Sequence, residues 1–362
     1  MSETFTLATR SSDLALRQAE RVRSALSTRR LDVELLHVQT QGDQVRDELI
    51  SELGMTGAFV RAVDERVMDG EADAAVHSMK DMPTEQPPEL SVAGVPERAP
   101  AGDVLVTPEE NGNGLDDLLV GATVGTGSLR RQAQLLATRP DLEVAPLRGN
   151  VDTRVQKLLA PTLQAEHERR TEAEDDDSDE EFDRTPDEWF DDLTELERGA
   201  LERTPDTEYD AIVLAEAGLR RLDLYDHPAV GTQRLPRSEF VPAPGQGALA
   251  VTTATPETRE TVRSAFDHAP TRVTTTVERT LLAELGGGCV APIGVHALLQ
   301  GEHVSVRVRV LSTDGDEEIA ESRDLSAERH AEAAREFAAD LRERGAAELI
   351  AAAREETGGD RP

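Results

Sequence analysis

Between residues 4 and 222 short apolar runs alternate with helical patterns, and this alternation narrows the fold more than any other feature. Residues 4–9, 31–40, 74–76, 90–95, 103–107, 122–125, 143–147 and 209–215 read as strands. They are too short and too uniformly apolar to be amphipathic helices. Helical spacing lies between them: Leu14, Leu16, Ala19, Val22 and Leu26, then 58–68 stopping at Gly70, then helices opening near Ser128, Asp152 and Glu216. Strand followed by helix, repeated, predicts α/β layers around a mostly parallel sheet. The stretch 97–103 reads as a crossing linker, and 240–247, rich in Pro and Gly, as a turn that feeds a strand at 248–252 back to the first layer. From about residue 270 the pattern changes to a helix, a strand alternating Val304, Val306, Val308 and Val310, and Ala-rich helices at 327–356. The strict alternation predicts an antiparallel sheet with one solvated face.

At 362 residues two or three domains are expected. Against 72 acidic residues stand 39 basic ones, a net charge of −33. That balance argues against nucleic acid and against an anionic membrane surface, because both depend on cationic neutralisation. Few aromatics, two lysines and a carboxylate-rich surface predict a protein kept soluble at high salt, where screening shortens the reach of self-repulsion. One cysteine, Cys289, rules out an internal disulfide framework. The N-terminal residues lack a basic and apolar leader pattern, and no stretch approaches the length of a membrane span, so a cytoplasmic protein is expected.

Against this acidic background the strand ends are cationic. Arg10 follows the first strand, Lys80 the third, Arg130 and Arg131 open the helix after 122–125, and Arg148 and Arg154 follow 143–147. In open α/β sheets ligands lie beyond the carboxyl ends of strands. The accumulation predicts a crevice for a polyanion carrying several carboxylates or phosphates. The residues leave plainer readings open. Lys80 beside Asp81 is compatible with a surface ion pair, and Arg130 and Arg131 with solvated side chains, although arginines in a first helical turn oppose the macrodipole unless an anion is bound. Ser12 or Asp13 is placed as an N-cap for the first helix.

Cys289 follows Gly286, Gly287 and Gly288, which would give unhindered approach to its sulfur. The alternatives are a small buried hydrophobe or a reactive thiol. Zinc lacks a second cysteine, and a Cys/His pair with His77, His268 or His296 is conceivable. Residues 160–206 differ in composition: 172–183 is nearly all acidic and expected to be disordered, while Thr185, Pro186, Asp187 and Glu188 read as a helix start. Trp189, Leu193, Leu196 and Ala200 then suit one short amphipathic helix, with partner docking as a secondary reading.

Four motifs, VHSMKDMP, TGSLRRQAQL, LRGNVDTRV and GGGCVAPIG, stand in an order and spacing that resembles the porphobilinogen deaminase (hydroxymethylbilane synthase) family. The resemblance spans nearly the whole chain apart from the acidic insertion. It implies two α/β domains like type II periplasmic binding proteins plus a small α+β domain with an antiparallel sheet. The expected division is 1–98 with 246–266, then 102–241 with the insertion at about 162–206, then 270–362. It implies condensation of four porphobilinogen molecules, head to tail and with loss of ammonia, into hydroxymethylbilane.

By the same resemblance Cys289 carries a dipyrromethane cofactor through a thioether, and Lys80, Ser128, Arg130 and Arg131 hold the cofactor's carboxylates. Arg10, Ser12, Gln18, Arg148, Arg154 and Arg221 are assigned to substrate or the growing chain, and Asp81 is the catalytic carboxylate. No metal, nucleic acid or membrane partner is implied, and a monomer is expected. The chain departs from the family at two places. Thr56 stands where many members carry a loop lysine, and the acidic insertion has no counterpart. A polycarboxylate-binding or sensing protein on the same scaffold, with Cys289 structural, is the alternative.

Overall fold

The computed structural model of the chain describes residues 3–28, 31–38, 56–109, 114–174, 180, 182–204, 206–288 and 291–356. The chain begins β1 (Glu3–Arg10), α1 (Asp13–Leu26), β2 (Leu31–Val38), α2 (Thr56–Met68), β3 (Ala74–Ser78) and β4 (Ser91–Gly94). It crosses into β5 (Asp103–Pro108), β6 (Thr123–Thr126), α3 (Leu129–Thr138), β7 (Glu143–Pro146), α4 (Val151–Glu174), α5 (Pro186–Asp192), α6 (Glu195–Leu201), β8 (Ala211–Ala215), α7 (Glu216–Arg221) and β9 (Val230–Arg234). It then returns through β10 (Leu249–Thr253) and α8 (Pro256–Phe266). The last part is α9 (Ala269–Glu284), β11 (Ile293–Gln300), β12 (His303–Leu311), β13 (Glu318–Ser326), α10 (His330–Glu343) and α11 (Ala346–Glu356).

Two five-stranded sheets share one topology, β2-β1-β3-β10-β4 and β7-β6-β8-β5-β9. In each, the fourth strand arrives from the other unit and runs antiparallel to both neighbours, while β1 pairs in parallel with β2 and β3, and β6 with β7 and β8. The repeated order makes the first two units alike in topology. Strands covered on both faces are buried along their length, as β3, β5 and β8 are, which is why their sequences read as unbroken apolar runs. Each unit has its own core: Leu7, Val22, Val76 and Val251 in the first, Val104, Leu158, Ile212 and Leu214 in the second, Val277, Val308, Phe337 and Leu341 in the third.

The two crossing segments lie side by side and are locked by the third unit. Ala99 N–H donates to Gly247 O at 3.2 Å, and Arg98 Nε to Gln246 O at 2.8 Å. Glu278 of α9, fully buried, accepts from Arg98 Nη1 at 2.7 Å, Gly245 N at 2.7 Å and Ala297 N at 2.8 Å. A carboxylate can be buried there because every oxygen meets a donor.

Three expectations are corrected. The helix opening near Asp152 is expected from the sequence to run to Leu159, ahead of the segment of different composition, but it continues into that segment to Glu174 with Pro161 inside it, held by buried Leu158, Leu159 and Ala160. The insertion forms two short helices rather than one, each closed by its own capping box, Thr185 with Glu188 and Thr194 with Glu197. It packs on the body, with Arg203 Nη2 donating to Gln156 Oε1 at 2.7 Å, and closes on itself where Gln164 Nε2 donates to Leu201 O at 3.1 Å. Also, β12 is not solvated along a whole face: its last four residues are buried, and Arg309 reaches Glu239 O in the second unit. Expectations for 39–55, and for 175–179 and 181 of the acidic run, lie outside the described residues.

Candidate functional site

After β3 the chain makes a 3-10 turn, Met79–Asp81, closed by Met82 N–H to Met79 O at 3.2 Å. Side chains three apart eclipse in such a turn. Met79 and Met82 both point into the core, and Met79 N–H donates to Ala248 O at 3.0 Å. The two residues between them are therefore turned outward: Lys80 is 33% and Asp81 49% exposed, with Nζ and Oδ1 4.0 Å apart. At that distance they are electrostatic neighbours rather than a hydrogen-bonded pair.

The second unit supplies more cations to the same neighbourhood. Asp81 acts to raise the Lys80 pKa, but burial together with Arg131 and Arg154 outweighs it, and the net shift is downward. Arg154 is lowered by burial and by Arg131, against the opposing pull of Asp81. Its Nε donates to Gly149 O at 2.8 Å, which holds it beside Gly127. Lys80, Asp81, Arg131 and Arg154, from three separate motifs, thus form one electrostatic cluster with cations in excess. Such crowding is unfavourable until an anion enters it.

Arg130 and Arg131 are buried, not solvated: 3% and 5% of their surfaces are exposed. Both pair with Asp103 at the start of β5, Arg130 through Nη1 at 2.8 Å and Arg131 through Nε at 3.0 Å and Nη2 at 2.8 Å. Arg130 Nη1 also reaches Val241 O at 2.8 Å, and Gln246 Nε2 donates to Asp103 Oδ1 at 2.9 Å. Burial alone would raise the Asp103 carboxyl, but the two guanidiniums hold it well below the usual carboxylate range. The helix dipole argument is answered from inside the protein: the partner of these first-turn arginines in this structure is Asp103.

The remaining expected residues are placed as follows. Arg10 ends β1, half-buried. Ser12 and Ser128 are the N-cap residues of α1 and α3, and neither hydroxyl caps its own helix, which leaves two helix N-termini with backbone donors for an anion. Gln18 is buried on the inner face of α1. Arg148 stands half-buried between β7 and α4. Arg221 is drawn toward the crossing segment, donating Nη2 to Gly247 O at 2.8 Å, while burial and nearby Arg21 lower its pKa. Asp152, an N-cap candidate from the sequence because it stands where the helix opens, lies instead in the first turn of α4, where Asn150 O accepts from Arg154 N–H. Cys289 lies outside the described residues.

The three histidines considered as partners for a thiol have other work. His77 bonds Asp64 Oδ1 at 2.8 Å in a buried cluster with Thr252, His268 bonds Thr271 at 2.8 Å, and burial pushes His296 down to about 4 despite Glu278.

Sequence reasoning missed Asp103, Gln246, Glu278 and Arg279, which support the site from beneath and from the third unit. Asp103 and Gln246 show locally only as a charged or amide side chain at an apolar or Pro/Gly-rich stretch, and Glu278 and Arg279, in a Thr-rich helix, give no local signal.

Two family descriptions match the chain: "Porphobilinogen deaminase, dipyromethane cofactor binding domain" over residues 5–166 and 195–262, and "Porphobilinogen deaminase, C-terminal domain" over 273–344. The gap in the first match falls within the acidic insertion. A "Probable porphobilinogen deaminase" of Halobacterium salinarum is 52% identical, with 98% of this chain and 99% of the relative covered. One of Methanococcoides burtonii is 37% identical over 95% of each chain. A "Porphobilinogen deaminase" of Nitratidesulfovibrio vulgaris is 40% identical over 82% of this chain and 79% of its own.

Proposed function

This chain belongs to the porphobilinogen deaminase family, and on that premise we propose how its residues divide the work. The reaction joins four porphobilinogen molecules head to tail into hydroxymethylbilane, with ammonia leaving at each condensation and water releasing the product. The dipyrromethane cofactor, when bound, supplies the terminal pyrrole carbon that begins the chain. Its two pyrroles carry acetate and propionate arms, and the donor set fits them: a cation excess at Lys80, Arg131 and Arg154, and two serine-headed helix N-termini. That excess, inside a chain of net charge −33, is the observation that carries the reading.

In this reading Cys289 anchors the cofactor, and Lys80, Ser128 and Arg131 meet its carboxylates. Arg130 shares the assignment but does so through the Asp103 pair, which fixes the positive base of the crevice. Arg10, Ser12, Arg148 and Arg154 hold substrate carboxylates, with planar guanidiniums suited to bidentate contact. Gln18 and Arg221 act from behind, at α1 and at the crossing segment. Asp81 accepts the pyrrole N–H of the incoming porphobilinogen. As the nitrogen of its aminomethyl group leaves as ammonia, the methylene stays on the ring and positive charge develops there; the fixed carboxylate stabilises that charge until the terminal pyrrole carbon of the chain bonds to the methylene and gives up its proton. Asp81 is also placed to pass a proton to the leaving amine. The three sheet units serve as three domains with the expected bounds, in a monomer of the cytoplasm adapted to high salt. The binding-protein alternative leaves Asp81 and Cys289 without purpose.

Intact mass of the purified protein tests this. The expected mass exceeds that of the chain by two linked pyrrole units, and the excess vanishes in Cys289→Ser. Asp81→Asn is expected to keep the excess and the fold but lose turnover by about 10²–10³-fold. An unmodified chain with full activity, or normal turnover in Asp81→Asn, overturns the assignment.

A further inference from the structure

The turn that presents Asp81 has little to hold it by itself. One 3-10 hydrogen bond closes it, and such turns are marginal without outside support. Several supports come from the sheet it belongs to and from the crossing segment. Met79 N–H is tied to Ala248, and Gly245 approaches so closely that a Cβ there would lie 3.0 Å from Met79 Cγ and 3.3 Å from Lys80 N. A different support comes from the third unit. Arg279, on α9, donates Nη1 to Met79 O and to Met82 O, each at 3.2 Å, and Nη2 to Pro83 O at 2.6 Å.

Met82 O and Pro83 O lie at the C-terminal side of the turn, where positive charge is favoured, and Met79 O, which already accepts the turn's own bond from Met82 N–H, takes Arg279 as a second donor. A planar fork spanning three carbonyls fixes both the position and the orientation of the peptide units around Lys80 and Asp81. The neighbour of Arg279 on the helix, Glu278, clamps the crossing segment at Gly245. Consecutive residues of α9 therefore grip the two segments that meet at the catalytic turn. The same helix ends at Glu284 and leads through Gly286, Gly287 and Gly288 to Cys289.

We propose that Arg279 is a positioning residue for the condensation: it registers the Asp81 turn to the helix that delivers the cofactor cysteine. The carboxylate is then referenced to α9, the helix that precedes Cys289 in the chain, whatever the two α/β units do relative to each other. This rests on the assignment of Asp81 as the catalytic carboxylate. Arg279 touches neither substrate nor cofactor and acts through Asp81.

The test uses the holoenzyme of Arg279→Met and the milder Arg279→Lys, each checked by intact mass for full cofactor loading and by circular dichroism for fold. Misplacement of a reacting group by about 1 Å can cost on the order of 10²-fold. The expected result is kcat lower by roughly 10- to 100-fold in Arg279→Met, with KM within about two-fold and Arg279→Lys intermediate. In the Asp81→Asn background, Arg279→Met should lower the residual single-turnover rate no further, because both changes act on one group. If Arg279→Met does not load or fold, Arg279→Lys decides by the same readouts. Wild-type kcat in the loaded variant, or a full multiplicative loss on top of Asp81→Asn, overturns the proposal. Normal turnover in Asp81→Asn itself would instead overturn the assignment beneath it.

Discussion

Asp103→Asn is the sharpest probe of how this crevice is built. The wild-type carboxylate is fully buried and accepts four hydrogen bonds: from Arg130 at 2.8 Å, from Arg131 at 3.0 and 2.8 Å, and from Gln246 at 2.9 Å. The amide keeps the shape but removes the charge and turns an NH₂ donor toward N–H groups that cannot accept from it. Two buried guanidiniums then share no carboxylate. Breaking a buried pair in this way costs about 3–5 kcal/mol. Against a typical total of about 5–15 kcal/mol, that is a large fraction of the stability.

The pH dependence has a definite sign. The folded Asp103 carboxyl lies well below its unfolded value, so its stabilisation is fully present above about pH 4 and is lost as pH falls through the folded value. Urea denaturation of both proteins at several salt concentrations is the assay. Surface repulsion is screened by salt, whereas this pair is shielded from ions, so the gap between wild type and variant should persist in 1 M salt. In acid the gap should narrow. A variant within about 1 kcal/mol of wild type, or a gap that salt abolishes, would refute the reasoning.

Three further outcomes are expected. Glu278→Ala leaves Arg98 and the Gly245 and Ala297 N–H groups without their acceptor, and should cost about 3–5 kcal/mol in the same assay; a loss below about 1 kcal/mol would count against the clamp. Raising salt from 0.1 M to 1 M shortens the screening length from about 10 Å to about 3 Å, so the denaturation midpoint of this −33 chain should rise; a flat response would remove the high-salt reading. Thr185→Ala removes the acceptor for Glu188 N–H and should weaken α5 locally by about 0.5–2 kcal/mol, read as faster hydrogen exchange at 185–192 with unchanged kcat; slowed turnover would show that the insertion serves the reaction.

Local pattern along the chain was enough for the strand–helix alternation, the change of class near residue 270 and the cationic strand ends. These are local: apolar runs, prolines, glycines and capping residues act through neighbours in the chain. Thr185 with Glu188 was legible as a helix start for that reason. The second helix of the insertion carries the same local signature in Thr194 with Glu197, whereas the continuation of α4 past Pro161 has none, because packing of Leu158, Leu159 and Ala160 decides it rather than propensity. Arg130 and Arg131 show the limit most clearly. Their place in the first turn of a helix was readable, but their partner was not. Asp103 comes from a different strand, and only the fold brings it beneath them. Arg279 lies further still from Met79, Met82 and Pro83 along the chain. Side chains that bond backbone carbonyls leave no pattern in their own neighbourhood, since every residue type offers a carbonyl. What the tertiary structure alone decided is therefore the support of the site: which buried charges oppose one another, and which helix holds the catalytic turn in place.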